Sequence, residues 1–253
     1  MDRAPRGQGP GSAGHWRGRT AATDGGPVGL STIQNVARAT IDPTPLTQVR
    51  RHPDRACYER DAIYAILDEG LVCHLGFVAG GRPWVIPTMY ARKDDFIYIH
   101  GSPASRMLKR SASGANICLT VTLLDGLVLA RSVASHSMNY RSVVVIGRAE
   151  LVKHNDQKLE ALRALVDHVI EGRWEDARQP TAKELKATMV LRLNLSQASA
   201  KVRQGPPVDS VSDQSLQFWA GEIPIKLRPG KPIPAPGLRD QVSPPSYVRD
   251  YHR

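Results

Sequence analysis

The chain has 253 residues, of which 41% are hydrophobic and 23% charged, a balance typical of a soluble globular protein. No apolar run approaches the roughly 18 residues that a membrane helix needs, and the N-terminus has no apolar segment typical of a secretory signal. The three cysteines, Cys57, Cys73 and Cys118, form no CxxC pair. Their number and spacing disfavour a disulfide framework and a thiolate zinc site, and predict a reducing, cytoplasmic compartment.

The net charge of +10 is concentrated at the two ends of the chain. Residues 1–55 contain eight Lys/Arg against four Asp/Glu, residues 225–253 contain six against two, and the middle contains 20 against 18. No basic stripe is interleaved with aromatic side chains, so specific nucleic-acid binding is not expected. Non-specific attraction of polyanions to the ends stays open.

Composition divides the chain into three parts. Residues 1–30 contain eight glycines, and residues 224–245 contain seven prolines. Such segments bury too little apolar surface to offset the entropy lost on ordering. We therefore predict a disordered basic tail over residues 1–45, a folded domain over 46–224 and an extended, proline-rich basic tail over 225–253.

Hydrophobic periodicity in the middle of the chain predicts short strands between a few helices. In chain order these are a helix over 58–69, strands over 71–78, 83–91 and 96–100, a helix over 107–110, strands over 115–124 and 142–151, helices over 155–170 and 181–187, and a strand over 188–195. The first strands follow one another without intervening helices. This order predicts a mainly β, α+β fold with an antiparallel sheet closed as a barrel and helices outside it.

Three residues give local expectations for individual strands. Pro83 and Pro87 both lie in the second predicted strand, which indicates an edge or a barrel rim, since proline donates no ladder hydrogen bond. Gly147 lies inside the fifth predicted strand, which indicates a bulge or a close backbone approach.

The end of the third strand is a candidate anion site. His100, Gly101 and Ser102 end this strand, and Ser105 and Arg106 begin the helix that follows. Together they offer backbone N–H groups, hydroxyls and a guanidinium to a phosphate. The same residues also suit an ordinary capped turn, so both interpretations stay open.

The segment Asp125–Ser142, DGLVLARSVASHSMNYRS, is unusually polar for a connection between two apolar strands. We predict a loop whose arginine, serine, histidine and tyrosine side chains either converge on an anion or are simply solvated. The segment contains Ser, His and Asp, the residue types of a catalytic triad, but it has no G-x-S-x-G motif, which disfavours a hydrolase. The chain also has no HExxH, no G-x-G-x-x-G after a strand and no P-loop, which disfavours zinc enzymes, Rossmann proteins and NTPases.

The stretch Arg51–Pro224 resembles the flavin-nucleotide-binding branch of the pyridoxamine 5′-phosphate oxidase-like superfamily, a branch similar to the nitroimidazole-resistance proteins. The most specific matching segment is Asp125–Gly147, DGLVLARSVASHSMNYRSVVVIG. Five further segments match in order: LVCHLGFVAGGRPWVIPTMYAR, IYIHGSPASR, GRWEDARQPTAKELKAT, ASAKVRQGPP and FWAGEIP.

The resemblance implies a split β-barrel homodimer that binds FMN at the subunit interface. It also implies a role for each candidate site residue. The flavin ring and ribityl chain would lie along Pro87, Thr88, Met89 and Tyr90, and the phosphate among His100, Gly101, Ser102, Ser105 and Arg106. The partner chain or the strand beside the flavin would contribute Tyr140, Arg141 and Ser142, and late segments closing over the cofactor would contribute Lys201, Arg203 and Trp219.

One departure bears on the activity. In true pyridoxamine phosphate oxidases an Arg-x-His pair follows the late tryptophan motif, whereas AGEIPIKLR follows Trp219 here. We therefore expect an FMN-dependent oxidoreductase of unknown substrate, with His100 as its candidate proton-exchanging residue. The alternatives are a non-enzymatic flavin or haem carrier, a deazaflavin or haem in the same groove, and a nucleic-acid-associated protein that binds through its basic ends.

Overall fold

The structure, a computed structural model, describes residues 39–239 and 241–252. The first 38 residues of the predicted N-terminal tail lie outside this range. The rest of that predicted tail is part of the folded body, because Ile41 is 4% exposed within the core and Thr40 forms a β-bridge with Glu59. None of the helices in the described ranges is long and apolar enough to cross a membrane.

The described residues form eleven strands and five α-helices. The strands are β1 (Ala56–Cys57), β2 (Val72–Ala79), β3 (Arg82–Met89), β4 (Ala91–Lys93), β5 (Phe96–Gly101), β6 (Asn116–Leu129), β7 (Ser137–Arg148), β8 (Glu150–Leu151), β9 (Met189–Asn194), β10 (Ala198–Arg203) and β11 (Gly221–Pro224). The helices are α1 (Arg60–Glu69), α2 (Arg106–Ala112), α3 (Asn155–Val169), α4 (Ala182–Lys186) and α5 (Ser246–Arg249).

Every strand pair is antiparallel, as the sequence predicts, and the strands form two sheets. The larger sheet has seven strands in the order β1-β10-β7-β6-β2-β3, and β11 pairs with the far end of β6. The smaller sheet has four strands in the order β4-β5-β9-β8. Proline-rich β3 ends the order of the larger sheet, which confirms the predicted edge position.

The core lies between the inner faces of the two sheets and is completed by helices. Alternation along β2 buries Cys73, Leu75 and Phe77 against it, as expected for a strand with one buried face. From α1, Ile63, with no exposed surface, joins the same cluster. A smaller cluster around Val190 packs between β9 and α3.

The stretch predicted as a polar loop is mostly strand, so that prediction is wrong. In the structure β6 continues to Leu129 and β7 begins at Ser137. A bulge in this long hairpin leaves Asp125 outside the regular register, between Leu124 and Gly126. Gly147 lies in regular register, and its close neighbour is a side chain and not backbone, since a Cβ there would lie 3.1 Å from a methyl of Leu193.

The C-terminal segment after β11 is largely free of regular structure but contacts the folded body. The Tyr247 hydroxyl donates to Asp176 over 2.6 Å, and the Tyr251 hydroxyl donates to the carbonyl of Val169 over 2.9 Å. These bonds hold α5 against the end of α3. Part of the predicted extended tail is thereby tied to the domain.

Candidate functional site

The larger sheet has an inner face on the core and a second face, here called the outer face. Cross-strand register places one set of alternating residues on it. These are Val72, His74, Gly76 and Val78 of β2, Pro83, Val85, Pro87 and Met89 of β3, Cys118, Thr120, Thr122 and Leu124 of β6, and Tyr140, Ser142, Val144 and Ile146 of β7. Apolar side chains on this face are accessible, with Val85 66% exposed.

The candidate phosphate residues lie together where β5 meets α2. Ser105 caps α2 by accepting a hydrogen bond from Leu108 N over 3.4 Å, and its own N–H donates to the Ser102 carbonyl. Gly101 packs against Leu108, since a Cβ there would lie 3.1 Å from it. The capped-turn interpretation is therefore correct, and it is compatible with a site because the Ser102 hydroxyl and the Arg106 side chain remain accessible.

Arg106 connects this turn to the edge strand. Its guanidinium carbon lies 3.9 Å from the ring centroid of Trp84 on β3, a cation–π contact. No Asp or Glu carboxylate among the described residues lies within ion-pair distance of the Arg106 guanidinium. A cation held in place by stacking, with all its N–H donors available, suits a phosphate ligand.

His100 lies on the face of β5 that is directed towards the smaller core cluster, opposite fully buried Val190. Its Nδ1 atom is buried and has no hydrogen-bond partner among the described residues. Burial lowers the pKa of His100 below its usual value of 6.5. The imidazole is therefore neutral at pH 7. In this form it can accept a proton, but it is not the imidazolium that would act as a general acid.

The four predicted flavin-contact residues of the second strand separate into three environments. Pro87 and Met89 lie on the outer face, and half-buried Thr88 lies on the other side with Trp84. Tyr90 follows β3 and is completely buried, with its hydroxyl donating to the Leu67 carbonyl over 2.6 Å. Tyr90 therefore packs in the core and does not have the exposure that a cofactor contact requires.

Candidate residues on β7 and β10 form a second cluster, which is separate from the candidate phosphate residues where β5 meets α2. Tyr140 and Ser142 lie on the outer face, with Ser142 opposite Lys201. Lys201 Nζ donates to the carbonyl of Arg51 over 3.0 Å. Strands β2 and β6 lie between β7 and β3, so β7 is about 14 Å from β3 at the usual strand spacing.

Two predicted cofactor residues are engaged in internal networks. Arg141 pairs with Asp125, over 2.7 Å, and with Glu69, and these carboxylates raise the pKa of Arg141 further above its ordinary value. Arg203 is 8% exposed and donates to Asn139 and to the carbonyl of Gly205. Because their donors are already used, both side chains suit a structural role better than the predicted cofactor contact.

Trp219 lies in the segment that leads into β11. It is 66% exposed, and neighbouring Phe218 is 65% exposed. Its ring also covers Gly221, where an added Cβ would lie 2.9 Å from it. Two exposed aromatic side chains next to each other indicate a surface that another molecule covers.

Trp84 was not among the predicted site residues, although it holds Arg106. Alternation along the strand places Trp84 on the same side as Thr88, a signal present in the sequence. The contact with Arg106 joins elements that are 22 positions apart in sequence, from Trp84 to Arg106, and has no local signature.

Comparisons with known proteins agree with this architecture. The family model for pyridoxamine 5′-phosphate oxidase matches residues 59–202. The flavocytochrome Anf3 from Azotobacter vinelandii is 42% identical over 83% of this chain and 98% of its own, with a TM-score of 0.79. The FAD and haem binding protein from Mycobacterium smegmatis is 34% identical over 78% of this chain and 97% of its own, with a TM-score of 0.75.

A search of the curated proteins gave no match. The matched family model spans more than half of the chain, and it includes β5, α2 and the turn between them, where the candidate phosphate residues lie. The fold is the antiparallel, flavin-binding split-barrel type with flanking helices. The chain therefore belongs to the pyridoxamine 5′-phosphate oxidase family.

Proposed function

We propose that this protein binds a flavin nucleotide and acts as a flavin-dependent oxidoreductase. The observation that carries the proposal is the Arg106 guanidinium, stacked on Trp84 beside Ser102 and Ser105 and lacking a carboxylate partner among the described residues. These residues would hold the flavin phosphate by charge-assisted hydrogen bonds. The flavin would supply the redox chemistry, while the chain supplies binding and orientation.

The flavin that fits the cluster of Ser102, Ser105 and Arg106 is FMN, as the sequence resemblance implies. One guanidinium and two serines match one terminal phosphate. FAD is the competing cofactor, because the Mycobacterium smegmatis relative is described as an FAD and haem binding protein. The mass of the released chromophore distinguishes the two.

We propose that the site is completed by a second copy of the chain. Arg106 stacks on Trp84, on the side of β3 opposite the outer face, whereas Tyr140 and Ser142 lie on the outer face with strands β2 and β6 between them and β3. A second copy seated on the outer face would bring its own β7 to the first copy's β3. It would also cover Val85 and the exposed Trp219 segment.

The substrate is not pyridoxamine phosphate in this proposal. The residues after Trp219 lack the Arg-x-His pair of true oxidases. The Anf3 relative is a flavocytochrome, and this favours electron transfer between a flavin and a haem, which would also accommodate a carrier without a small organic substrate. The three free cysteines, Cys57, Cys73 and Cys118, agree with a reducing compartment such as the cytoplasm.

The test is the visible spectrum of the purified full chain, with the released chromophores identified by mass. The proposal expects flavin bands that disappear on reduction, together with FMN at about one molecule per chain. FAD in place of FMN would correct the cofactor and leave the flavoprotein assignment intact. A colourless protein that takes up neither FMN nor FAD would overturn the proposal.

A further inference from the structure

Three exposed arginines lie together where α2 meets the hairpin of β2 and β3. Arg106 and Arg110 are one helical turn apart on the exposed side of α2, whose other side is buried. Arg82 begins β3, and alternation places it on the same side of that strand as Trp84. This side is opposite to the outer face, so the three arginines do not belong to the surface that we assign to a second copy.

Two of these guanidiniums are held by contacts that leave their terminal nitrogens available. The Nε of Arg110 donates to the carbonyl of Val78 over 3.2 Å, near the end of β2. Val78 lies opposite Pro83, the residue that follows Arg82, so the Arg110 guanidinium lies close to the start of β3. Arg106 is held by the stacking contact described above. Arginines fixed in this way are pre-organised for the oxygens of a phosphate.

The charge of the three arginines is not balanced within the chain. No carboxylate among the described residues lies within ion-pair distance of any of them. Other arginines of the folded body do have such partners, since Arg60 pairs with Asp95 and Arg178 pairs with Glu184. Like charges one helical turn apart repel each other, and a third arginine beside them adds to the repulsion. An anionic ligand would supply the missing charge.

The small size of this cluster favours a phosphorylated small molecule over a protein partner. Specific protein interfaces use roughly 20–30 residues on each side, whereas this cluster consists of three arginines and one tryptophan. In the proposed function Arg106 binds the flavin phosphate, which leaves Arg82 and Arg110 for a second ligand. Two neighbouring guanidiniums suit two linked phosphates, as in the pyrophosphate of a dinucleotide.

We infer that Arg82 and Arg110 bind the pyrophosphate of a nicotinamide dinucleotide that donates electrons to the flavin. This inference rests on the proposed function. A dinucleotide held there would lie beside the candidate flavin site, because Arg110 is one turn from Arg106 on the same helix. The C4–H bond of the nicotinamide would break, its hydride would form an N–H bond on the flavin ring, and a solvent proton would complete the reduced flavin. The donor thereby loses the two electrons that the flavin gains.

The binding test is isothermal titration of the FMN-loaded full chain with ADP, which carries the pyrophosphate but has no hydride to transfer. For Arg110→Ala and Arg82→Ala we expect about tenfold weaker ADP binding and an unchanged FMN content, because each variant loses charge-assisted hydrogen bonds to the pyrophosphate alone. Arg228→Ala removes an exposed arginine from the C-terminal segment and is the matched control, with ADP affinity equal to the wild type. The thermal unfolding midpoint checks the folding of each variant.

The donor role is tested by anaerobic reduction of the bound flavin with NADH and with NADPH, followed at the flavin absorption band. Arg110→Ala should raise the half-saturating donor concentration about tenfold. The limiting rate of reduction should not change, because this arginine would hold the phosphates and not the reacting ring.

A wild-type chain that holds FMN but binds no ADP, or whose flavin neither dinucleotide reduces, would overturn the inference and leave the proposed flavin site intact. Equal ADP affinity in the wild type and in both arginine variants would do the same. If the chain retains FAD, or if ADP displaces FMN, the arginines belong to the flavin's own site and the inference fails. A chain that takes up no flavin overturns the proposed function itself, and the donor assignment with it.

Discussion

At the scale of single residues, Arg106 differs from the other arginines of the candidate site by what surrounds it. Arg141 and Arg203 satisfy carboxylates, amides and carbonyls of their own chain. Arg106 instead rests on the Trp84 ring, a contact that orients a guanidinium without using its N–H donors. An arginine held in this way can bind an external anion at little entropic cost.

Substituting Arg106 by alanine should weaken binding of FMN by roughly ten- to hundredfold, the effect of losing charge-assisted hydrogen bonds. Riboflavin, which has no phosphate, should bind both proteins with similar affinity. Quenching of flavin fluorescence on titration of the flavin-free protein measures both constants. Lys109→Ala, which removes a positive charge from the same helix, is the control and should retain FMN affinity. Equal losses for FMN and riboflavin in Arg106→Ala would contradict a phosphate contact.

Cys73 gives a second expectation at this scale. Burial raises the pKa of its thiol to about 12. In the unfolded chain the same thiol has its ordinary pKa of 9.0. The folded state therefore keeps the neutral thiol, and the stability that Cys73 contributes is present below pH 9 and declines as the pH rises from there towards 12.

We expect iodoacetamide at pH 8 to leave Cys73 unmodified in the native protein, because the thiolate is the reactive form. Half-buried Cys57 and Cys118 are the internal comparison. In guanidinium chloride all three cysteines should react, which shows that protection comes from the fold. Mass spectrometry of the digested protein measures each site, and prompt native labelling of Cys73 would count against its burial.

At the scale of elements, the β6–β7 hairpin shows how a polar sequence becomes a central part of a sheet. The bulge at Asp125 takes this residue out of the regular ladder, where its carboxylate binds Arg141. Glu69, at the end of α1, binds the same guanidinium. The helix and the hairpin are therefore joined by one arginine, and its removal should affect stability more than flavin affinity.

The junction of α1 and β2 is a second place where elements meet closely. At Gly70 an added Cβ would lie 2.5 Å from a methyl of Val121 and 2.7 Å from the hydroxyl of Tyr90. Gly70 has an ordinary extended backbone, with φ of −71°, so an alanine there meets a steric conflict and no backbone strain. The space reserved by this glycine lets Tyr90 reach the end of the helix.

Gly70→Ala should lower the free energy of unfolding by about 1–3 kcal/mol, the usual cost of overpacking a core. Gly230→Ala is the matched control, because no heavy atom lies within 4 Å of a Cβ built there. Urea denaturation followed by tryptophan fluorescence measures both. Equal urea denaturation midpoints for Gly70→Ala and Gly230→Ala would mean that the junction accommodates the added methyl group without loss of stability.

At the scale of the whole molecule, the outer face and the segment with Phe218 and Trp219 are two apolar surfaces that one chain leaves in contact with water. Singly exposed apolar residues are normal, but a sheet face with several exposed valines beside exposed aromatic rings is typical of an interface. Tyr140 and Ser142 lie on this face, and the Arg106–Trp84 contact lies at the β3 edge of the same sheet, with β2 and β6 between them. A second copy would bury the surface and complete the site together.

Val85→Asp should therefore shift the protein from dimer to monomer and reduce its flavin content in parallel, since a buried unpaired carboxylate opposes association. Val242→Asp, at a valine that is 53% exposed in the C-terminal segment, is the control and should keep both properties. Analytical ultracentrifugation with absorbance at protein and flavin wavelengths reads the two together. A monomeric wild-type chain that holds one flavin would contradict the shared site.

Local sequence determined the elements whose signals lie within a few residues. The apolar run over residues 71–78 predicts β2, the prolines of β3 predict an edge, and the hydrophobic period over residues 155–170 predicts α3, because each depends on side-chain period or backbone chemistry. The family motifs predicted the flavin-binding fold for the same reason: they record short segments. The grouping of Ser102, Ser105 and Arg106 was also predicted, since these residues are near neighbours in the chain.

Only the tertiary structure decided which side chains are free to bind a ligand. Arg141 looks like an anion-binding residue until Glu69 and Asp125 are placed against it. Tyr90 looks like a flavin contact until its hydroxyl is placed at the end of α1. In each case the partner comes from a distant part of the chain, so the availability of a charged or polar group depends on packing that no local pattern records.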